Sequence, residues 1–415
     1  MRRAPLVPVA LAFMALLALT GALGRADRLW HRHCPPQAYM TVCVSDMPAN
    51  WGDVAGVGGG KVLKINNIQM CGDIRMFFRD DSLAHTLRYG DTLLLHGYPD
   101  TLRRSIYLTA DHYIVTGRDS TSFRARSEAI RMRLLHRMQR GPLVDGAVAE
   151  ALALGWKGGI GRDTRAHYRD AGLAHLLAVS GLHVGLLAAM VGAAFFWTGR
   201  ERRGRVVRGG AQLAAVWLFA LVTGLAPSTL RAALMFSMFI VNGMAARRVV
   251  PLNLLALAAI VMLCADPLLL YDVGWQLSFS AVAGILLAQP AISALRTPVG
   301  QAAAVSTAAT LATMPVVVAT FHRLPLYFLV ANVVVVPAAG FILGLSLLYM
   351  LLPCAVTAWP LGLLLRGVDA LTAWVGSLPY AVAEDIHLST PLLLALTVVV
   401  VVMLLLPQMI LRRSD

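Results

Sequence analysis

Long apolar stretches dominate the chain and recur at the spacing of membrane spans. An uninterrupted apolar run of about 20 residues is long enough to cross a bilayer. Such runs occupy Ala4–Leu23, Leu173–Thr198, Ala211–Ala226, Leu230–Ala246, Val249–Ala265, Val273–Ala288, Ala302–Phe321, Tyr327–Leu352 and Leu392–Ile410, and a weaker, amphipathic one covers Ala355–Val382. The pattern predicts a polytopic α-helical membrane protein with about nine or ten spans. Between Arg25 and Arg140 the pattern changes. Five β-prone stretches, Tyr39–Val44, Lys61–Ile68, Asp73–Phe78, Thr92–Gly97 and Ile106–Thr116, are separated by turn signals such as Gly58-Gly59-Gly60 and Tyr89-Gly90-Asp91. Five short strands suit a small OB-like β-barrel. From Phe123 to Arg140 the period becomes helical. Ile130, Leu134, Leu135 and Met138 share one side, and Arg126, Arg131, Arg133, Arg137 and Arg140 fill the rest, as in a helix lying at a membrane interface.

These patterns divide the chain into a membrane anchor (residues 1–24), an OB-like β domain (25–122), amphipathic or interfacial helices (123–171) and a multi-span domain (172–415). The first run carries an Arg-Arg start and small residues Gly24 and Ala26 at a cleavage spacing. Its apolar stretch is long for a signal peptide, which favours an uncleaved anchor.

Composition agrees: 58% of residues are hydrophobic and the mean hydropathy is +0.67, too apolar for one soluble core. The net charge of +14 is less informative than its distribution. Cationic clusters at Arg2–Arg3, Arg200–Arg208, Arg247–Arg248 and Arg412–Arg413 are placed on the cytoplasmic side by the positive-inside rule. The block Arg25–Arg140 then lies outside the cytoplasm, although it holds 17 Lys/Arg against 11 Asp/Glu. An outward basic domain suits an anionic partner, nucleic acid among them; an ordinary soluble domain with surplus arginine has the same balance. Phe77, Phe78, Tyr89, Tyr98, Tyr107 and Tyr113 are candidate base-stacking residues or, alternatively, core residues.

No enzyme is expected. There is no Walker A motif and no G-x-S-x-G elbow, and the glycine-rich Gly155–Gly161 follows no strand. No cofactor or metal is implied, because His31-Arg-His33-Cys34 lacks a second set of ligands. Cys264 and Cys354 lie in apolar runs and read as packed small hydrophobes. Cys43 and Cys71, on strands taken as adjacent in an exported domain, are the expected disulfide, with Cys34 left over.

The segment from His175 to Gly185 concentrates the chemistry. It places two histidines, a serine and two glycines in an apolar run, where polar side chains are expensive and mark a bundle interior or a path. Ser180 and His183 are i,i+3 neighbours on one helix face. Gly181 and Gly185 have the small-xxx-small spacing of a close helix contact. Arg231, near a helix start after Pro227-Ser228, reads either as a phosphate contact or as an arginine reaching the interface. Asp272, Gln276 and Ser280 form a polar stripe that orients helices or balances Arg231. Pro315, Pro325 and Pro337 predict broken helices at membrane depth.

His175–Leu187 (HLLAVSGLHVGLL) resembles the signature of the ComEC-type competence proteins, inner-membrane channels for DNA uptake in natural transformation. Gly224–Met235, Asp266–Ala281 and Asn332–Pro337 resemble further segments of that family in order and spacing, over about Asp145 to Leu352. The resemblance implies a channel that conducts single-stranded DNA, with His175, Ser180, Gly181, His183, Gly185, Arg231, Asp272, Gln276, Ser280 and Asn332 as candidate path or network residues. It also implies membrane lipid, a periplasmic DNA receptor, a cytoplasmic motor or single-strand-binding protein, and self-association as partners. Many members carry a metallo-β-lactamase-like domain; no H-x-H-x-D-H motif occurs in this sequence, so strand degradation is expected from another protein. The competing readings are a secondary transporter of a small anionic solute and a non-transporting membrane assembly factor.

Overall fold

Strand alternation organises the amino-terminal part. In β1 (Ala38–Trp51), Met40, Val42 and Val44 point inward and are fully buried, whereas Tyr39 faces out. The computed structural model describes residues 38–51, 54–70, 73–78, 90–100, 105–108, 112–118, 123–177, 179–199, 201–225, 227–245, 250–265 and 267–411, together with Met14 and Leu87. Six further strands follow: β2 (Val54–Ile65), β3 (Ile68–Gln69), β4 (Asp73–Phe78), β5 (Asp91–Gly97), β6 (Ser105–Leu108) and β7 (Tyr113–Arg118). Asn66 and Asn67, both at positive φ, make the tight turn that divides the expected strand Lys61–Ile68 into β2 and β3.

The sheet order is β6-β4-β2-β1-β5-β7, with β3 paired to β2. The β4–β6 pairing is parallel and the other pairings are antiparallel. β6 and β7 are two pieces of the single strand predicted over Ile106–Thr116, and they form the two ends of the sheet. The broken fifth strand thus meets both β4 and β5, the topology of an OB-like barrel. The interior is filled by Val62, Ile74, Met76, Leu93, Leu95 and Ile106. Phe78 and Tyr113 meet edge to face inside it, at 5.5 Å, so these two candidate stackers are core residues. β2 separates β1 from β4, so the strand that carries Cys43 is not the neighbour of the strand that follows Cys71. Cys71 itself, like Cys34, Tyr89 and the run Ala4–Leu23 apart from Met14, lies outside the described residues.

Twelve helices follow among the described residues: α1 (Phe123–Gln139), α2 (Ala147–Leu154), α3 (Arg162–Asp170), α4 (Gly181–Ala194), α5 (Arg202–Val222), α6 (Pro227–Met244), α7 (Pro251–Ala265), α8 (Val273–Ala294), α9 (Pro298–Phe321), α10 (Phe328–Leu351), α11 (Ala355–Gly376) and α12 (Thr390–Leu411). Four of them, α5, α8, α9 and α10, are long and apolar enough to cross a membrane; α4, Ser228–Met244, Pro251–Ala265 and Pro391–Leu404 are shorter apolar helices. The chain is a polytopic helical membrane protein carrying an OB-like β domain.

Several local expectations change. The run Leu173–Thr198 becomes helical only at Gly181, because Ser180 adopts extended geometry and caps the helix. Pro315 and Pro337 sit inside continuous helices, as membrane helices tolerate where neighbouring elements re-satisfy the backbone. Pro325 lies instead in β8 (Leu324–Pro325), a short strand paired with β9 (Val382–Ala383). Cys264 and Cys354 are exposed on the apolar surface rather than packed inside. On α1, Leu135 and Met138 are buried as predicted, but Ile130 is exposed and Arg131 is buried.

Helix packing is close where small residues allow it. A Cβ on Gly284 of α8 would stand 2.4 Å from Cβ of Ala312 and 2.8 Å from the carbonyl oxygen of Ala308, both on α9. The first half of the bundle and the last meet through Tyr168 of α3, whose hydroxyl donates to Asp369 of α11 at 2.9 Å. Burial and the adjacent carboxylate push the Tyr168 phenol well above its ordinary value.

Candidate functional site

The start of α4 is built by its own first turn. Ser180 is the N-cap, with φ −124° and ψ 175°. His183 sits three residues on, and its Nδ1 accepts the backbone N–H of Ser180 at 3.2 Å and lies 3.1 Å from Ser180 Oγ. An imidazole nitrogen that accepts a backbone N–H carries no proton, so in the neutral ring the proton resides on Nε2. That Nε2 is buried and has no partner among the described residues. His183 is 0% exposed, so the capping turn aims an unpaired N–H into the bundle.

Among the described residues eight other buried polar atoms share this condition; three of them, Thr229 Oγ1 on α6 and Asn332 Oδ1 and Ser346 Oγ on α10, lie on helices that adjoin α4. Both helices pack on α4. A Cβ on Gly185 would meet the Phe236 ring of α6 at 2.7 Å; on the other side, Gly340 and Gly344 of α10 face Leu186 and Met190. An unpaired buried polar group costs about 1–3 kcal/mol. Several on three adjoining helices are therefore a feature to be explained by polar contents rather than by packing.

A second polar cluster joins α6 to α8. Arg231, one turn into α6 and 6% exposed, has its Nη1 3.4 Å from Asp272 Oδ1. Asp272 is the N-cap of α8 and accepts the Trp275 backbone N–H at 2.6 Å. Gln276 Nε2 donates to the Leu270 carbonyl at 2.9 Å, which ties the preceding turn Pro267–Tyr271 to α8. Gly274 leaves room for the guanidinium, since its Cβ would lie 3.2 Å from Arg231 Nη2.

The candidate residues are thus distributed unevenly. Ser180, His183 and Gly185 lie together at the α4 seam with Asn332 on an adjoining helix, while Arg231, Asp272 and Gln276 form the second cluster. Ser280 is half-buried on α8, two turns beyond Asp272. His175 lies in the non-helical segment before α4, near enough to His183 for the two rings to interact electrostatically. Gly181 faces open space, with nothing within 4 Å of a Cβ built there. The close approach is made at Gly185 alone, because Gly181 is the first helical residue and precedes the crossing.

A third cluster has no counterpart in the sequence reading. Arg131 of α1 pairs with Glu128 one turn back, donates to the Thr223 carbonyl at 3.4 Å and lies over the Trp156 ring at 5.7 Å. Ser127 Oγ donates to the Leu221 carbonyl. Gly224, at φ +74°, passes beside the pair, and a Cβ there would stand 2.8 Å from Arg131 Nη1. Arg131 and Thr223 are 92 apart in sequence; the only sequence signal was an isolated glutamate within an arginine-rich helix. Among the described residues no group of three or more His, Cys, Asp or Glu side chains is arranged to hold a metal ion.

Outside the bundle, Tyr39 stacks on His96 of β5 with ring centroids 4.4 Å apart, and Tyr98 is exposed nearby at the end of the same strand. The outer aromatic face of the barrel is therefore formed by the exposed Tyr39 and Tyr98 with the half-buried His96, and only Tyr98 was among the residues expected from the sequence.

Comparison with known proteins places this geometry in context. A family model described as "Competence protein" matches residues 152–413. The chain is 29% identical over 237 residues to "ComE operon protein 3" of Bacillus subtilis (strain 168), an alignment that covers 57% of this chain and 30% of the relative. The matched region thus spans less than a third of that relative's length. No solved structure matches.

Proposed function

From the premise that this chain belongs to the competence protein family, we propose that it conducts single-stranded DNA across the cell inner membrane during natural transformation, with the β domain on the extracytoplasmic side. The observation that carries this reading is the set of buried, unpaired polar atoms on α4, α6 and α10. Phosphates and bases crossing hydrocarbon need polar groups that the protein does not use up itself. The Nε2–H of His183, fixed by the Ser180 cap, is a donor suited to a phosphate oxygen. Asn332, Thr229 and Ser346 can each donate or accept.

The proposed orientation has its own support. Arg202, Arg203, Arg205 and Arg208 open α5, whereas Leu221 and Thr223 at its other end hold α1, which follows the β domain. The β domain and this arginine cluster are therefore tied to opposite ends of one membrane-crossing helix, and positive-inside charge supports an outward orientation of the domain. A basic domain with exposed Tyr39 and Tyr98 beside a half-buried His96 suits capture of a single strand by stacking and charge. This role is transport rather than catalysis, and the driving motor and the DNA receptor are separate proteins. The test is entry of fluorescently labelled DNA into the cytoplasm of a strain in which this gene is replaced by alleles encoding the wild type, His183→Ala or His183→Ala/Asn332→Leu. Membrane levels are compared by immunoblot. Loss of entry at normal protein levels is expected for the double variant; unchanged entry in the double variant and in a full deletion overturns the proposal.

A further inference from the structure

We infer that the groove between the end of α1 and the turn joining α10 to α11 is a binding site for the phosphate of an anionic membrane lipid. The groove has a volume of about 430 Å³ and is lined by Arg133, His136, Arg137, Arg140, Gly141 and Pro353. Arg133 and Arg137 are i,i+4 neighbours on one face of α1, Arg140 follows in the turn just past its end, and His136 lies beside them. None of the four basic side chains pairs with a carboxylate among the described residues. The one acid of α1, Glu128, is committed to Arg131.

The floor of the groove is held in place. Tyr349 of α10 donates to the Met138 carbonyl at 3.1 Å and accepts the Leu143 N–H at 3.1 Å. Gly141 is what lets it approach, since a Cβ there would lie 2.1 Å from the Tyr349 hydroxyl. Arg137 Nη2 donates to the Leu351 carbonyl at 2.7 Å. That bond caps the end of α10 and accounts for one arginine; it leaves Arg133, Arg140 and His136 directed at the groove without a protein partner that neutralises them.

Its position favours lipid over a nucleic-acid strand. Leu351 is the last residue of a helix long and apolar enough to cross the membrane, so its end lies at headgroup depth. The adjoining surface is apolar and outward-facing: Leu351, Leu352, Val356 and Trp359 are exposed, the last two by 82% and 70%. An exposed tryptophan one turn from the groove is the usual marker of the bilayer interface. Acyl chains have a surface to lie on directly beside the cationic cluster. The unpaired polar atoms assigned to the DNA path lie on other helices or on the buried face of α10, and this inference does not depend on that path.

The test is native mass spectrometry of the full chain in detergent, titrated separately with phosphatidylglycerol, phosphatidylcholine, inorganic phosphate and a short single-stranded oligonucleotide. The wild type is expected to bind phosphatidylglycerol in preference to phosphatidylcholine. Arg133→Gln/Arg140→Gln is expected to weaken phosphatidylglycerol binding roughly 30-fold, from about fivefold for each cation near a headgroup. Arg133→Lys/Arg140→Lys should retain most of it. If the neutral double variant does not fold, Arg140→Gln alone, beyond the helix end, carries the test with a roughly fivefold loss. Three results overturn the inference: no phosphatidylglycerol preference in the wild type, the same affinity in the neutral variants, or arginine-dependent binding of the oligonucleotide or inorganic phosphate without binding of the lipid.

Discussion

Two alanine substitutions within one short motif separate the physical roles of its glycines. Gly181→Ala adds a methyl group where nothing lies within 4 Å, whereas Gly185→Ala places one 2.7 Å from Cζ of Phe236 and 3.2 Å from Cε1. Carbon atoms rest at about 3.5–4.0 Å, so the ring, or α6 with it, must retreat by roughly 1 Å. Phe236 is partly buried against α4, and its ring centroid lies 6.4 Å from that of Phe239, so the displaced ring moves within this contact. Overpacking of this kind costs about 1–3 kcal/mol. Both substitutions also gain helix propensity, up to about 1 kcal/mol and less in a first turn. The propensity gain therefore cannot make Gly185→Ala the worse variant; the difference between the two measures the contact. Gly181→Ala is expected to be neutral or slightly stabilising and Gly185→Ala to be destabilised relative to it by about 1–3 kcal/mol, with Gly185→Leu worse than either. Unfolding of the purified protein by denaturing detergent, followed by tryptophan fluorescence, reads the difference. DNA entry into the cytoplasm at matched membrane levels reads the functional consequence. Equal stability of the two alanine variants, or a greater loss from Gly181→Ala, refutes the placement of the seam at Gly185.

The buried pair on α1 gives a larger effect: Arg131→Ala takes the guanidinium away from the buried Glu128 carboxylate and should cost about 3–5 kcal/mol, whereas Glu128→Met/Arg131→Met should recover most of that loss in the same unfolding assay. Gly224→Ala should destabilise by at least about 1–2 kcal/mol, because φ +74° disfavours a Cβ and the pair occupies the space; stability equal to wild type would show that the loop relaxes freely. Burial raises the Glu150 carboxyl above its ordinary value, against a smaller opposing contribution from Gln139. Its ionisation therefore opposes folding: the penalty is absent below the ordinary value of 4.5, grows as pH rises toward the folded value and then stays constant. Glu150→Gln should raise the thermal midpoint at pH 7.5 and leave it unchanged near pH 4, and equal shifts at both pH values would exclude this cause. On the β domain, Tyr39→Ala and Tyr98→Ala should each weaken single-stranded DNA binding by about 1–3 kcal/mol in fluorescence anisotropy, with a steep salt dependence in the wild type; binding indifferent to both changes would take this face out of DNA capture.

The distribution of apolar residues was sufficient, on its own, for the membrane class, the approximate helix positions after Gly181 and the separate β domain. These depend on local periodicity and on the roughly 30 Å of hydrocarbon a span must cross, and both are written residue by residue. The i,i+3 relation of Ser180 to His183 was legible for the same reason. Tertiary structure alone decided which groups those patterns leave unpaired. Strand Ile106–Thr116 divides because its two halves pair with different strands, β4 and β5. Arg131 is buried because Glu128 neutralises it and Thr223, 92 residues away, receives it. Gly185 makes the close approach and Gly181 does not because only the former lies where Phe236 crosses. The open nitrogen of His183 follows from a first-turn bond that claims the other one, and from neighbouring helices whose described residues offer it no acceptor. Such facts depend on contacts between elements distant in sequence, and no spacing within a single helix encodes what a second helix brings to meet it.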